Sequence, residues 1–377
     1  MIQMIPINRP LLDAEEKDEV MSVLDEGALT SAAKNGGKRV RNFECHLRDF
    51  LNVKHVVAVN SGTAALYAAL LAANIEEGDE VFLPSFTFVA TANSVAAVGA
   101  KPVFIDINKD DYTMDVSDLK TKVGNKSKAI IPVHIYGHPC TMDEISEIAD
   151  KYSLKVIEDA CQSVGSTYKN RQTGTMGLMG CFSMYASKVL TCGEGGAIAT
   201  NSDELAEKLK MIRNHGMVDG YDTRVLGLNL RLPEMSAAIA KVQMNKLPKM
   251  LDSRRKNAEL MSNMLFPIAK KLELKLPEET ETKKFNWYLY TVAFKHGLLR
   301  DKVKEKMINQ GIGAMVYYDP PTHRTPFYRN MLTHSDNDND NNNNLYVTDW
   351  AAQHLLSLPV HPFVTEQDIE KIVHVFE

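Results

Sequence analysis

The chain has 377 residues, 44% of them hydrophobic and 24% charged, which is an ordinary composition for a globular protein of two or three domains. Its formal net charge of −5 provides no basic field that would attract nucleic acid or an anionic membrane surface. We therefore expect no nucleic-acid or membrane partner, and an anionic ligand would have to be held by local groups.

The cysteines and the apolar runs indicate the cellular compartment of the protein. The cysteines form no C-x-x-C pair and lie near no histidine cluster, which favours reduced thiols and argues against a metal site. They are Cys45, Cys140, Cys161, Cys181 and Cys192. No apolar leader opens the sequence, and no uninterrupted apolar run reaches the roughly 18 residues of a membrane helix. We expect a cytoplasmic protein without a bound metal.

The first half of the chain is predicted to alternate between strands and helices. Amphipathic helices are predicted around residues 13–25 and 40–51. Seven short runs rich in β-branched residues follow as predicted strands: HVVAVN, EVFLP, KPVFIDI, KAIIPV, LKVIED, CFSMY and GAIATN. Helical stretches such as TAALYAALLAAN and TMDEISEIADKY separate them. This alternation is typical of a mostly parallel sheet that is covered by helices on both faces.

The second half is predicted to form a smaller α+β domain. A long helical stretch after Pro233 contains Pro248, which cannot supply an interior helix hydrogen bond, and we expect the helix to be interrupted there as an arm between domains. We set the large domain at residues 1–245 and the small domain at 246–377. Predicted strands WYLYTVAF and GAMVYY and helices DKVKEKMINQ and TEQDIEKIVHVF fill the small domain. The polar tract at residues 335–344 is predicted to be a disordered surface loop.

Three segments carry residue types suited to chemistry. Ser61-Gly62-Thr63 joins a strand to an apolar helix, where unpaired N–H groups can hold a phosphate, although Ser and Thr are also ordinary helix caps. Glu158 and Asp159 close a later strand, where a carboxylate either meets a ligand or caps the next helix. Lys188 follows the strand CFSMY and precedes the flexible GEGG turn.

These three segments together match the needs of pyridoxal 5′-phosphate. The cofactor needs a phosphate cradle, a lysine that binds its aldehyde as a Schiff base, and a carboxylate that keeps its pyridine nitrogen protonated. Each segment alone has a structural explanation, but the combination favours a pyridoxal-phosphate enzyme.

Six ordered blocks make the chain resemble the DegT/StrS-type sugar aminotransferases over nearly its whole length. They are NSGTAALYAALLAANIEEGDEVFLPSFTFVATANSVAAVGAKPVFIDI, AIIPVHIYGHPCTMDEISEIADKYSLKVIEDACQSVGSTY, GCFSMYASKVLTCGEGGAIATN, RNHGMVDG, LGLNLRLPEMSAAIA and LLSLPVHPFVTEQDI. The resemblance implies the type I fold of pyridoxal-phosphate transferases, an α/β architecture with a mostly parallel mixed seven-stranded sheet between helices and a smaller C-terminal α+β domain.

The resemblance also assigns catalytic roles by position. Lys188 would bind the cofactor covalently and shuttle protons, and Asp159 would pair with the pyridine nitrogen. Gln162 would contact the ring's phenolic oxygen, and Phe88 would stack on the ring face. These are the expected catalytic and ring-binding residues.

The phosphate would be held by residues of two subunits. Gly62, Thr63 and Ser183 match phosphate-binding positions of the family, and Asn229 matches a residue that arrives from the other subunit. The resemblance therefore implies at least a homodimer with shared active sites.

Two further residues are candidate substrate ligands. Arg231 would clamp the carboxylate of the amino donor, although an ordinary surface or interface arginine is an open alternative. His323 aligns with a family histidine near the sugar nucleotide, although a single histidine in a Pro-rich loop often has no such role. Most relatives have a small residue at the positions of Cys161 and Cys192, so thiols are expected near the cofactor.

The resemblance implies amino transfer from glutamate to a keto group of a nucleotide-linked hexose, by default C4 of a 4-keto-6-deoxy sugar. Two alternatives remain. Sugar dehydratases of this fold carry histidine at the position of Lys188, which argues against that reaction. A non-catalytic regulator that binds the cofactor or a nucleotide sugar would not need the complete set of residues. The sequence does not identify the acceptor sugar or its carrier.

Overall fold

The computed structural model describes residues 4–333 and 344–377. The predicted disordered loop therefore lies outside the described residues, except for its last residue. No helix in the described part of the chain is long and apolar enough to cross a membrane.

The described residues form twelve strands and twelve α-helices. The strands are β1 (His55–Val59), β2 (Glu80–Pro84), β3 (Lys101–Ile105), β4 (Ser127–Ile130), β5 (Lys155–Asp159), β6 (Thr167–Tyr168), β7 (Arg171–Gln172), β8 (Met179–Ser183), β9 (Gly196–Thr200), β10 (Lys283–Lys284), β11 (Tyr290–Ala293) and β12 (Leu355–Leu358). The helices are α1 (Ala14–Glu26), α2 (Lys38–Leu51), α3 (Gly62–Ala72), α4 (Ala90–Ala97), α5 (Val116–Lys122), α6 (Met142–Tyr152), α7 (Asp203–Ile212), α8 (Glu234–Leu272), α9 (Gly297–Asn309), α10 (Pro326–Thr333), α11 (Tyr346–His354) and α12 (Glu366–His374).

A seven-stranded sheet forms the centre of the large domain, in the order β1-β9-β8-β5-β4-β2-β3. The pairs from β3 to β8 are parallel, whereas β9 runs antiparallel to both β8 and β1. All seven predicted strands are present, which confirms the mostly parallel mixed sheet. Because β1, β5 and β8 point the same way, their carboxyl ends share one edge of the sheet.

Helix α3 crosses the middle of this sheet and is apolar nearly all round. Ala65, Leu66, Ala69 and Leu70 are buried, and α3 packs against β5, β8 and β9. A helix buried on most of its surface needs apolar residues at most positions, which explains the composition of this segment. Its N-terminus is thereby fixed at the carboxyl edge of the sheet.

Helix α8 corrects one expectation about the chain. It runs through Pro248 and Pro267 without interruption for 39 residues. Both prolines are on the exposed side, where a carbonyl without its helical partner can bond to water, and packing against α1 and α2 stabilises the first half. Helix α8 contributes Met244 to a core shared with the large domain and Met261 to the small-domain core. The boundary at residues 245 and 246 stays a prediction.

The small domain is built around the antiparallel pair β11–β12. The predicted strand GAMVYY is wrong, because residues 313–318 make only a single bridge, between Met315 and Ser357. The tyrosines of this segment pack against the large-domain core. Its apolar residues therefore fill the space between the domains and do not extend a sheet.

Candidate active site

Three strand ends bring the predicted residues together. Asp159 ends β5 and Ser183 ends the neighbouring parallel strand β8. Gly62 begins α3 directly after β1, and Gly196 of β9 approaches the Ser61 carbonyl so closely that a Cβ on it would lie 2.1 Å from that oxygen. The carboxyl edge thus places Asp159, Ser183 and Gly62 in one site, as expected for a sheet of this type.

The first turn of α3 provides a cradle for an anion. The Ser61 hydroxyl accepts a hydrogen bond from the Ala64 N–H at 3.1 Å, while the N–H groups of Gly62 and Thr63 precede the first intrahelical donor. A Cβ on Gly62 would lie 2.8 Å from the Ser183 Cβ, so glycine is required for this close approach. Backbone donors, the helix dipole and the Ser183 hydroxyl fit a phosphate.

Asp159 is held in place with its carboxylate at the site. It is 5% exposed, and Oδ2 accepts a hydrogen bond from the Thr91 hydroxyl at 2.8 Å. Oδ1 accepts one from the Cys161 N–H at 3.1 Å. Each oxygen keeps a second acceptor position, which suits a partner such as a protonated ring nitrogen.

The neighbouring Glu158 has a different and structural role. Its completely buried carboxylate accepts hydrogen bonds from the N–H groups of Gly174, Met176 and Gly177 at 2.6–2.7 Å. His134 Nδ1 accepts from the Cys140 N–H, so Nε2 carries the proton and donates to Glu158 at 2.9 Å. Because successive residues of a strand face opposite sides, Glu158 fixes a loop and Asp159 faces the ligand site.

Lys188 lies in a turn whose supports come from distant segments. Its Nζ is 4.7 Å from the centre of the Tyr288 ring, and its N–H donates to the Tyr185 carbonyl at 2.9 Å. Asn8 donates to the Ser187 carbonyl at 2.6 Å, and the hydroxyls of Ser187 and Tyr288 are 3.3 Å apart. The turn therefore has fixed contacts on both sides of the lysine.

Cys161 lies at the phosphate cradle, next to Gly62. Its Sγ would lie 2.9 Å from a Cβ on Gly62. Burial and then Asp159 raise the pKa of the thiol well above its usual value, while Lys188 acts in the opposite direction. Cys161 is therefore a neutral thiol at the cradle. The second expected thiol, Cys192, is buried with its Sγ 3.3 Å from the Glu194 carbonyl oxygen, and its position near the cofactor stays a prediction.

The two predicted ring contacts are placed differently. Gln162 is buried, with Oε1 accepting from the Tyr136 N–H at 2.8 Å and Nε2 donating to the Tyr318 hydroxyl at 3.1 Å. Phe88 is 57% exposed, and its ring centre is 6.2 Å from that of Tyr318. Phe88 and Gln162 are thus both neighbours of Tyr318, and an exposed aromatic ring together with a buried polar side chain suits a planar aromatic ligand.

The remaining candidates lie around this centre. Asn229 is exposed in the segment between α7 and α8, and Arg231 donates to the Asn214 side-chain oxygen at 2.7 Å. His323 is 3% exposed, and its Nδ1 is 2.6 Å from the Ser85 hydroxyl. Burial lowers the pKa of His323 to about 4, so it is neutral near pH 7. Its contact with a sugar nucleotide stays a prediction.

Sequence reasoning missed three contributors to the site. Thr91 anchors Asp159, Tyr288 lies beside Lys188, and Tyr318 binds Gln162. Their positions in the sequence give little signal, because each is brought in from a segment far along the chain. Within the described residues, no group of three or more His, Cys, Asp or Glu side chains is arranged to hold a metal.

The residues present fit pyridoxal phosphate. Gly62, Thr63 and Ser183 suit the phosphate, Asp159 and Gln162 suit the polar ring atoms, and Lys188 is within the same site. Each requirement of the cofactor is met by a residue whose position is fixed by neighbouring contacts.

Comparison with known proteins identifies relatives over the full length of the chain. The profile of the DegT/DnrJ/EryC1/StrS aminotransferase family matches residues 10–377. A pleiotropic regulatory protein of Geobacillus stearothermophilus is 36% identical, covering 97% of both chains. UDP-N-acetyl-3-dehydro-alpha-D-glucosamine 3-aminotransferase of Acidithiobacillus ferrooxidans is also 36% identical, covering 95% of this chain and 93% of its own. The crystal structure of S. venezuelae DesV in complex with a ketimine intermediate has a TM-score of 0.87 and 31% identity, covering 98% and 97%.

Proposed function

The chain belongs to the DegT/DnrJ/EryC1/StrS aminotransferase family and is a pyridoxal-phosphate-dependent sugar aminotransferase of type I fold, and we propose that it aminates a keto group of a nucleotide-linked deoxyhexose. We propose glutamate as the amino donor and C4 of a 4-keto-6-deoxy sugar as the default acceptor. The observation that carries the proposal is that Asp159, Ser183 and Gly62 meet at one edge of the sheet, with Lys188 in the turn that leaves this edge after Ser183.

The roles of the residues follow from their positions. The bound cofactor supplies an electron sink for the carbon that gains or loses its proton. Lys188 would hold the cofactor covalently, and its free amine would serve as the general acid and base that moves the proton. Asp159 keeps a proton on the ring nitrogen, while the donors at Gly62, Thr63 and Ser183 bind the phosphate.

Arg231 and Asn229 have separate proposed roles, the first in binding the amino donor and the second in a neighbouring subunit. We propose that Arg231 clamps the donor carboxylate with its guanidinium, since one of its nitrogens bonds Asn214 and others remain for a ligand. We propose that Asn229, which is exposed in the single chain, completes the phosphate site of a second subunit in a homodimer. A cytoplasmic location remains part of the proposal.

Two other functions are distinguished by particular residues. A dehydratase of this fold would lack the lysine that binds the cofactor, whereas this chain carries Lys188 in the turn after Ser183. The relative from Geobacillus stearothermophilus is named as a regulatory protein, which keeps a non-catalytic role as the second candidate. A regulator would bind the cofactor without turning over amino donors.

The absorbance spectrum of the purified protein tests these functions. With pyridoxal phosphate we expect a visible band that requires Lys188 and that glutamate converts to the near-ultraviolet band of the amine form. A panel of keto sugars linked to UDP, GDP or dTDP should then restore the visible band and identify the acceptor.

Each other outcome has a defined meaning. The Lys188→Ala variant should form no visible band and lose turnover, and wild-type rates in that variant would refute the assignment. A band that amino donors leave unchanged would favour the regulator, while no band in the wild type would exclude the cofactor.

A further inference from the structure

The segment of residues 315–323 connects the small domain to the candidate active site. At one end Met315 bridges Ser357 next to the small-domain sheet. At the other end the Thr322 N–H donates to the Ser85 carbonyl at 3.2 Å, beyond the end of β2. In between, the Tyr136 hydroxyl donates to the Tyr317 carbonyl. The residues on both sides of Tyr318 are therefore fixed, by Ser357 of the small domain and by Ser85 and Tyr136 of the large domain.

The orientation of the Gln162 amide is determined by its neighbours. The Tyr136 N–H can only donate, so the atom 2.8 Å from it must be the amide oxygen of Gln162. The amide nitrogen consequently faces Tyr318, whose hydroxyl oxygen lies 3.1 Å away. This nitrogen carries two hydrogens, of which the tyrosine accepts one, and the other remains for a ligand.

The Tyr318 side chain is held so that its hydroxyl stays at this place. Its ring packs edge-on against Phe86, with 6.1 Å between centres, and lies 6.2 Å from the Phe88 ring. Burial raises the pKa of Tyr318 well above its usual value, so the hydroxyl is neutral. A neutral hydroxyl can accept from Gln162 without placing a negative charge beside Asp159.

We propose that Tyr318 is a positioning residue for the cofactor, which acts by fixing the Gln162 amide so that its second hydrogen faces the phenolic oxygen of pyridoxal phosphate. This inference rests on the proposed function for the identity of the ligand. Tyr318 would then contribute to cofactor binding, although the sequence did not predict it as a site residue.

A double-mutant cycle tests whether Tyr318 acts through Gln162. Tyr318→Phe, Gln162→Ala and the double variant are prepared as apoproteins, and their dissociation constants for pyridoxal phosphate are measured by titration. The pH at which the absorption band of the bound cofactor changes is recorded for each. Tyr317→Phe is the matched control, because it removes a neighbouring hydroxyl and keeps the backbone carbonyl that Tyr136 binds.

We expect Tyr318→Phe to weaken cofactor binding by roughly fivefold, the value of one neutral hydrogen bond, and to shift the pH of the spectral change. In the Gln162→Ala background the same substitution should change the dissociation constant by less than about twofold, because the amide that Tyr318 positions is already absent. Tyr317→Phe should leave both properties as in the wild type.

The alternatives separate clearly. An equal loss of binding with and without Gln162 would show a general packing role and overturn the inference, as would unchanged binding and pH behaviour in Tyr318→Phe. Urea unfolding of each apoprotein identifies a variant that binds weakly only because it is unfolded, in which case Tyr318→Trp, which keeps an aromatic ring, replaces it. No visible band in the wild type would overturn the proposed function and this inference together.

Discussion

Gly62→Ala would place a methyl group inside the phosphate cradle. The added Cβ would lie 2.8 Å from the Ser183 Cβ and 2.9 Å from the Cys161 Sγ. Carbon atoms in contact prefer separations of about 3.5–4.0 Å, so the start of α3 would have to move by several tenths of an ångström. The Ser183 Cβ cannot move away by side-chain rotation, because it is fixed to the backbone, and the half-buried Cys161 could withdraw its Sγ only by leaving its present rotamer.

The size of the effect follows from two opposing contributions. Overpacking costs about 1–3 kcal/mol, while the better helix propensity of alanine returns at most about 1 kcal/mol. We expect the free energy of unfolding of the apoprotein to fall by about 1–2 kcal/mol. Displacing the N–H groups at the start of α3 also weakens a charge-assisted hydrogen bond to the phosphate. Such a bond contributes about 1.5–3 kcal/mol, so the affinity for the cofactor should fall at least tenfold.

Urea unfolding and titration with pyridoxal phosphate measure the two effects separately. Gly124→Ala is the control, because a Cβ on Gly124 would have no atom within 4 Å. Cys161→Ala in the Gly62→Ala background removes one of the two clashes and should recover part of the affinity. If Gly62→Ala has the same free energy of unfolding and the same cofactor affinity as Gly124→Ala, the close packing of the cradle is refuted.

Three other predictions concern the carboxylates of Asp159 and Glu158 and the buried imidazole of His361. Asp159→Asn should slow both half-reactions about 100-fold or more in stopped-flow assays, because a neutral amide does not keep the ring nitrogen protonated; unchanged rates would contradict the pairing. Glu158→Gln should lower the free energy of unfolding by about 3 kcal/mol or more, since the new amide nitrogen is a donor that faces backbone N–H donors, whereas the exposed Glu144→Gln should have almost no effect in urea. Burial lowers the pKa of His361 to about 4, below its value near 6.5 in the unfolded chain. Between these two pH values the native state binds fewer protons than the unfolded state. The free energy of unfolding should therefore fall as the pH drops from 6.5 to 4, by up to about 3 kcal/mol from this residue. His361→Gln should flatten that dependence in urea titrations at pH 7, 6 and 5, and an unchanged slope would show that other groups dominate it.

The sequence by itself determined the large domain and the centre of its site. Seven apolar β-branched runs predicted seven strands, because a strand buried on both faces needs such residues whatever its partners are. The ends of those strands then located Gly62, Asp159 and Ser183, since the carboxyl ends of parallel strands share one edge. These features depend on patterns of a few neighbouring residues, which a linear sequence displays directly.

The tertiary structure alone decided which local preferences survived. Pro248 does not interrupt α8, because its side faces solvent while the opposite side packs on two helices. Residues 313–318 do not form the predicted strand, because their tyrosines pack between the domains. In both segments the burial of distant surfaces outweighed a local propensity worth a few kcal/mol at most.

The same reason explains the missed site residues. The hydrogen bond from Thr91 to Asp159 spans 68 positions of the chain, and that from Gln162 to Tyr318 spans 156. No periodicity or spacing records such pairs, because they exist only once the sheet and the small domain have packed together. The sequence thus predicted which groups carry the chemistry, and the packing of distant segments decided which groups hold them in place.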